Sequence, residues 1–327
     1  MRITRRSLLN TAAAFASTAF AVPGLAQQWP TRSIKILSAY PPGGLVDLFA
    51  RAYGAHISVR LGQPVLIENR PGASGIVAAQ AMIQAPPDGY TLMATLSSAL
   101  ISNRVLYETL PYDPDKDFSL ISSMSTGQLP LIVHKSTGVT NLAELAQYAR
   151  SHPVNFGNFG QGTYGHLATL ELNRHFGIQM EPVQYRGEAP MWKDLAAGII
   201  QCATGTYPGA ISVIQSGEGR AIAMTHDRRM KRLPDVPTYL EQGLPSRTFQ
   251  LKTFVCLVGP AGMSEAMIKT LSRLAVEAGE TEQMKAILDT FGIEEAATDD
   301  EAFKRLLAEE TGPWTELVRS LGLAASR

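Results

Sequence analysis

The chain has 327 residues, with 29 basic and 29 acidic side chains, so its formal charge is zero. A nucleic-acid partner would ask for a basic surplus that is not there. After the N-terminal segment no apolar run reaches the ~18–20 residues needed to span a bilayer.

Residues 1–26 hold Arg2, Arg5 and Arg6 and no acid, then the apolar stretch TAAAFASTAFAV, then small residues up to Ala26. A charged start, a short apolar stretch and a plausible cleavage site read as an export signal, and this segment is set aside from fold reasoning. Thr4-Arg5-Arg6-Ser7-Leu8-Leu9 also fits the twin-arginine pattern, an ordinary secretory signal being the alternative. Without those three arginines the chain carries 26 basic and 29 acidic residues, a charge of −3. The remaining length, about 300 residues, suffices for two ordinary domains, each around its own core.

Past the signal, apolar runs of strand length alternate with helical patterns. SIKILSAY leads into a helix over 46–61, PVLIENR into a helix through IVAAQAMIQA, and DGYTLMATL and PLIVHK follow as strands. NLAELAQYARSH precedes VNFGNFG, and HLATLELNRHFG precedes MEPVQY. This rhythm predicts an α/β fold with largely parallel sheets. After TFVCLVGP the chain is nearly all helical. Extended segments near 120–131 and 246–256 predict two lobes joined by a hinge, one lobe from 29–128 plus 254–327 and the other from 129–253. Cys202 and Cys256 lie in separate strand-like runs, where a disulfide and two buried thiols both remain open.

Two glycine turns carry the chemistry. Pro41-Pro42-Gly43-Gly44 joins a strand to a helix, presenting unpaired N–H groups and a positive dipole end to an anion. Gly160-Gln161-Gly162-Thr163-Tyr164-Gly165 spells G-x-G-x-x-G, but it follows a short polar strand in mid-chain, and a lone match is a weak dinucleotide signal. An exported nicotinamide-dependent oxidoreductase is the alternative reading of this turn. Facing each other across a cleft, the two turns would clamp a molecule carrying one or two carboxylates. Asp47 fits a capping role at the third helical position better than a ligand contact, and His166 is open between cap, ligand donor and packing. Asp113, Asp115 and Asp117 begin like a calcium loop, yet Phe118 and Met124 stand where glycine and glutamate are required. No nucleophile elbow or zinc-ligand pair is present.

YPPGGLVDLFAR, LGQPVLIENRPGASG, PPDGYTL, LPYDPDKDF, GQGTYGHLA, VQYRGEAPMWKDLAAG and RLPDVPT, in this order, resemble the periplasmic receptors of tripartite tricarboxylate transporters, the Bug (Bordetella uptake gene) family. The resemblance covers essentially the whole chain after the signal. It implies a two-lobed type II periplasmic binding protein fold with a two-strand hinge. It also implies no catalysis and no cofactor, a monomer in the periplasm, a small organic carboxylate as ligand and membrane transporter subunits as partners. Carried over by position, the ligand-binding residues are Tyr40, Gly43, Gly44, Leu45, Val46 and Asp47 in the first lobe, with Ser97 and Ser98. In the second lobe they are Gly160, Gln161, Gly162, Thr163 and His166, with Thr206 and Tyr207. Two departures stand out: Val46 replaces a small or hydroxylated residue, and Ile200 to Gly205 lacks two acids and an aromatic usual in that strand. The loss at Gly205 argues against an amino-acid ligand and for a carboxylate with an aromatic or branched apolar body.

Overall fold

The computed structural model describes residues 29–323, so the export signal lies outside the described residues. In the first part of the chain β1 (Ile34–Ser38) feeds α1 (Leu45–Leu61) and β2 (Val65–Asn69) feeds α2 (Ile76–Ile83). β3 (Thr91–Leu96) feeds two one-turn helices, α3 (Ser97–Leu100) and α4 (Asn103–Leu106), before β4 (Phe118–Ser125). Next come β5 (Pro130–His134), α5 (Leu142–Ser151), β6 (Asn155–Asn158), α6 (Tyr164–Phe176) and β7 (Glu181–Gln184). They are followed by α7 (Glu188–Ala196), β8 (Cys202–Thr204), α8 (Tyr207–Gln215) and β9 (Gly219–Met224). The chain closes with β10 (Phe254–Pro260), α9 (Glu265–Gly279), α10 (Glu282–Phe291) and α11 (Asp300–Ser320).

The strands form two five-stranded sheets, ordered β2-β1-β3-β10-β4 and β7-β6-β8-β5-β9. Each sheet with its helices makes one lobe, as expected. The parallel pairing expected from sequence holds for β1 with β2 and β3, and for β6 with β7 and β8. It fails for β10, which is antiparallel to both its neighbours, and for β5, likewise. The reason is geometric. β5 and β10 are the strands that enter a sheet from the other lobe, so they start at the junction and run away from it. The strands that feed α1, α3, α6 and α8 run toward it.

Alternation along buried strands builds the cores. In β1, Ile34 and Ile36 face the cluster beneath α1 and α9, while Leu37, with Ala39 just past the strand, faces the opposite cluster with α2 and α11. β10 repeats this, with Val255 and Leu257 on one face and Phe254, Cys256 and Val258 on the other. Period-2 alternation with both faces buried is what a strand covered by helices on two sides requires. Each such aliphatic side chain contributes about 1.5–3 kcal/mol of burial. Cys202 and Cys256 sit in different lobes as free buried thiols, which resolves the open pairing.

Side chains cap α5, α9, α10 and α11: Asn141 accepts the Glu144 N–H, Ser264 that of Met267, Thr281 that of Met284 and Asp299 that of Ala302. The crossings between lobes lie side by side, the Thr126 N–H donating to the Thr253 carbonyl at 3.1 Å and the two threonine hydroxyls hydrogen-bonding. The stretch around 246–256 is less extended than its sequence suggests, because Arg247–Gln250 closes a 3-10 turn before β10.

Candidate functional site

A cavity of about 420 Å³ lies between the lobes. One or two residues past β1, β3, β4, β6 and β8 the chain reaches its wall, at Tyr40, Ser97, Thr126, Phe159 and Thr206. In an open α/β sheet the crevice beyond the carboxyl ends of the strands is where ligands collect, because helix N-termini point there.

The first glycine turn is built as a cradle. Gly43 has φ +82°, open to glycine at little cost, and turns the chain into α1, with Gly44 as N-cap and no capping side chain. Gly43, Gly44, Leu45 and Val46 all line the cavity. Asp47 does not. It is almost fully buried behind the turn, where its carboxylate accepts the Gly43 N–H (2.9 Å), the Asn69 amide (2.8 Å) and the Arg51 guanidinium (2.9 and 3.1 Å). Its expected ligand contact is replaced by the capping role, and Gly43 keeps no N–H for a ligand. Burial pushes the Asp47 carboxyl up, but Arg51, Gly43 and Asn69 outweigh it and hold it below the ordinary carboxylate range.

Ser97 and Ser98 line the cavity from the end of β3, beside Tyr40. The Tyr40 and Ser98 hydroxyls are buried and make no well-formed hydrogen bond within the protein. Burial pushes the Tyr40 phenol up to about 12, so it is a neutral donor. The two hydroxyls neighbour each other beside the α1 N-terminus, with polar capacity left unsatisfied within the protein.

The second glycine turn behaves differently. Thr163 lines the cavity, but Gly160, Gln161, Gly162 and His166 do not. The turn is docked on the first lobe: Ser102 donates to the Gly162 carbonyl at 2.7 Å and Ser74 to that of Gln161 at 2.8 Å. A Cβ on Gly162 would stand 2.1 Å from Leu106 Cδ1 and 2.9 Å from Ser102 Cβ. Protein fills the ground where a pyrophosphate would approach, which removes the physical basis of the dinucleotide reading. His166 accepts the Gly162 N–H on Nδ1 at 3.1 Å, and burial drives its pKa down to about 4, so the ring is neutral.

Tyr207 packs against Met224 and Met230 away from the cavity. Thr206 lines the wall, but its N–H and hydroxyl are both engaged by Glu188, a residue the motif reading passed over. Trp192 adds its indole N–H to the same carboxylate at 3.1 Å. Burial raises the Glu188 pKa above the ordinary carboxylate value, Thr206 and Trp192 offsetting only part of the rise, and the groups recorded on its carboxylate all donate to it. The rest of the wall is mostly apolar, with Leu129, Phe159, Trp192, Phe291 and Trp314 beside Leu45 and Val46. Asp113 and Asp115 pair with Lys116 and Arg104, and Asp117 accepts the Asp113 N–H, so this run is a turn braced by its own neighbours.

The family model described as tripartite tricarboxylate transporter family receptor matches residues 49–323. Protein BugT of Bordetella pertussis is 30% identical over 98% of this chain and 99% of its own. A Rhodopseudomonas palustris protein, Rpa4515, solved with adipate, superposes with a TM-score of 0.83 at 30% identity, covering 90% of this chain and 99% of the other. MatC from the same organism, solved with bound malate, gives a TM-score of 0.77 at 28% identity over 89% and 100% of the two chains. None of these supports an oxidoreductase. With a two-lobed α/β architecture, a cavity between the lobes and relatives along its whole described length, the chain belongs to the tripartite tricarboxylate transporter receptors, a family of solute-binding proteins.

Proposed function

We propose that the protein captures a small organic carboxylate with an apolar body between its two lobes and hands it to membrane subunits of a tripartite tricarboxylate-type transporter. The observation that carries this is the first-lobe donor set. The opening N–H groups of α1, which helix geometry leaves without partners, stand with Tyr40 and Ser98, whose hydroxyls neighbour each other, at one wall of a cavity otherwise mostly apolar. A carboxylate satisfies those donors, and Leu45, Val46 and Phe159 cover what is attached to it. The ligand-bound relatives, one with adipate and one with malate, support the chemical class. The identity of the body is left to this chain's own walls.

The lobes divide at 128/129 and 253/254, with Thr126 and Thr253 as the paired crossings. A ligand that touches both lobes binds the closed arrangement better than the open one and shifts the population toward closure. The cavity is lined by one chain alone, which supports a receptor acting as a monomer. The export-signal pattern of residues 1–26 and the periplasmic location that the family implies support work in the periplasm.

Thermal shift tests the reading. A panel of aliphatic and aromatic carboxylates should include members that raise the melting temperature, while NAD and NADP should leave it unchanged. A shift with a dinucleotide and with no carboxylate would overturn it.

A further inference from the structure

Glu188 is the one acid, among the described residues, that lines the cavity. It opens α7 directly after Gly187, and its carboxylate is held rigidly. Both oxygens accept the Thr206 N–H, at 3.1 and 3.0 Å, and Oε2 also accepts the Thr206 hydroxyl at 2.6 Å and the Trp192 indole N–H at 3.1 Å. Room for this arrangement comes from two glycines. A Cβ on Gly205 would stand 3.1 Å from Glu188 Oε2 and 2.8 Å from Trp192 Cζ2, and one on Gly209 would stand 2.0 Å from Trp192 Nε1. The contacts converge on Oε2, so Oε1 keeps acceptor capacity for a group in the cavity.

We propose that Glu188 determines specificity: it accepts a hydroxyl or ammonium on the ligand's far end and turns away dicarboxylates. The inference rests on the carboxylate-receptor reading above. The first lobe supplies donors for one carboxylate. On the second-lobe wall the Thr206 donors are already taken, and the Glu188 carboxylate stands there instead. A second ligand carboxylate there would meet like charge, which disfavours it. Arg186 also lines the cavity, but it is exposed and, among the described residues, makes no ion pair with Glu188. Its exposed charge is screened by solvent and salt more than that of the Glu188 carboxylate.

The test is a matched six-carbon series, hexanoate, 6-hydroxyhexanoate, 6-aminohexanoate and adipate, titrated calorimetrically into the wild-type protein and Glu188→Gln. The wild type should bind the hydroxy or amino acid about tenfold or more tighter than adipate, and Glu188→Gln should narrow that ratio by a similar factor. Adipate binding as tightly as the donor-bearing acids overturns the proposal, and the wild-type ratio decides this even if the variant fails to fold. An unchanged ratio in a folded variant overturns it too. So does failure of all four compounds to bind. The receptor reading falls with it only if the wider carboxylate panel also fails in thermal shift.

Discussion

Asp47 and His166 hold the same position on helices from opposite lobes, and each accepts the N–H of the residue just before its own helix N-cap. Gly43 donates to Asp47 at 2.9 Å and Gly162 to His166 at 3.1 Å. Both are third in their helices, close enough to fold back over the first turn. The device is shared and the charge is not. Asp47 is an ionised acid braced by Arg51, whereas His166 is a neutral imidazole in an apolar setting.

Replacing Asp47 by alanine leaves the Gly43 N–H, the Asn69 amide and Arg51 without their acceptor. Because the carboxylate is buried, the expected loss is about 2–3 kcal/mol, read as a lower urea midpoint. Its folded pKa lies below the unfolded value, so its contribution is complete above about pH 4 and is lost as pH falls through the folded pKa. Asp47→Asn should flatten that acid limb; an identical limb in wild type and variant would argue against the assignment.

For His166 the unfolded ring takes a proton near 6.5 and the folded ring near about 4. Between those values the unfolded state binds more protons, so stability is complete above pH 6.5, declines toward pH 4 and levels off below. His226 is also lowered by burial and contributes to the same slope. The share of His166 is therefore read from its own ring resonances by NMR, which should titrate near pH 4. A midpoint near 6.5 would contradict the buried, accepting imidazole.

At Gly162, alanine must hold φ +69° and push its methyl into Leu106 and Ser102 of the other lobe. The backbone strain alone is about 1–3 kcal/mol. The larger effect falls on closure. Gly162→Ala should remain folded by circular dichroism yet bind the best carboxylate of the thermal-shift panel about tenfold or more weakly, the lost closure energy appearing as lost affinity. Unchanged affinity would mean that the docked turn plays no part in closing the lobes.

Ser98→Ala and Tyr40→Phe remove two neighbouring buried hydroxyls that make no well-formed hydrogen bond within the protein. The unliganded variants should melt at or above the wild-type temperature, since a buried unsatisfied group is gone. Affinity for that same carboxylate should fall by about 0.5–1.5 kcal/mol per hydroxyl. Loss of melting temperature without loss of affinity would assign these hydroxyls to structure.

Local features were legible because their causes are local. The apolar run before Pro41, the paired glycines and the helical pattern from Val46 onward set the first cradle, and α1 begins at Leu45, one residue earlier than expected. The long C-terminal helices announced themselves by periodicity over ten or more residues. α7 and α8, with nine residues each, offer barely two turns of pattern, and both carry a proline near their start. They went unread, and with α7 went Glu188, although an acid opening an apolar helix after Gly187 was visible in RGEAPMW.

The sequence alone determined the strand–turn–helix units, the two-lobe count and the helical tail, because apolar period and glycine turns act over a few residues. Tertiary structure decided which donors still face the cavity. The Gly162 carbonyl meets a hydroxyl 60 positions away, and the Thr206 donors meet an acid 18 positions away. Whether a backbone group is left for a ligand depends on such distant partners, so GQGTYG read as a cradle and folded as a clasp between lobes.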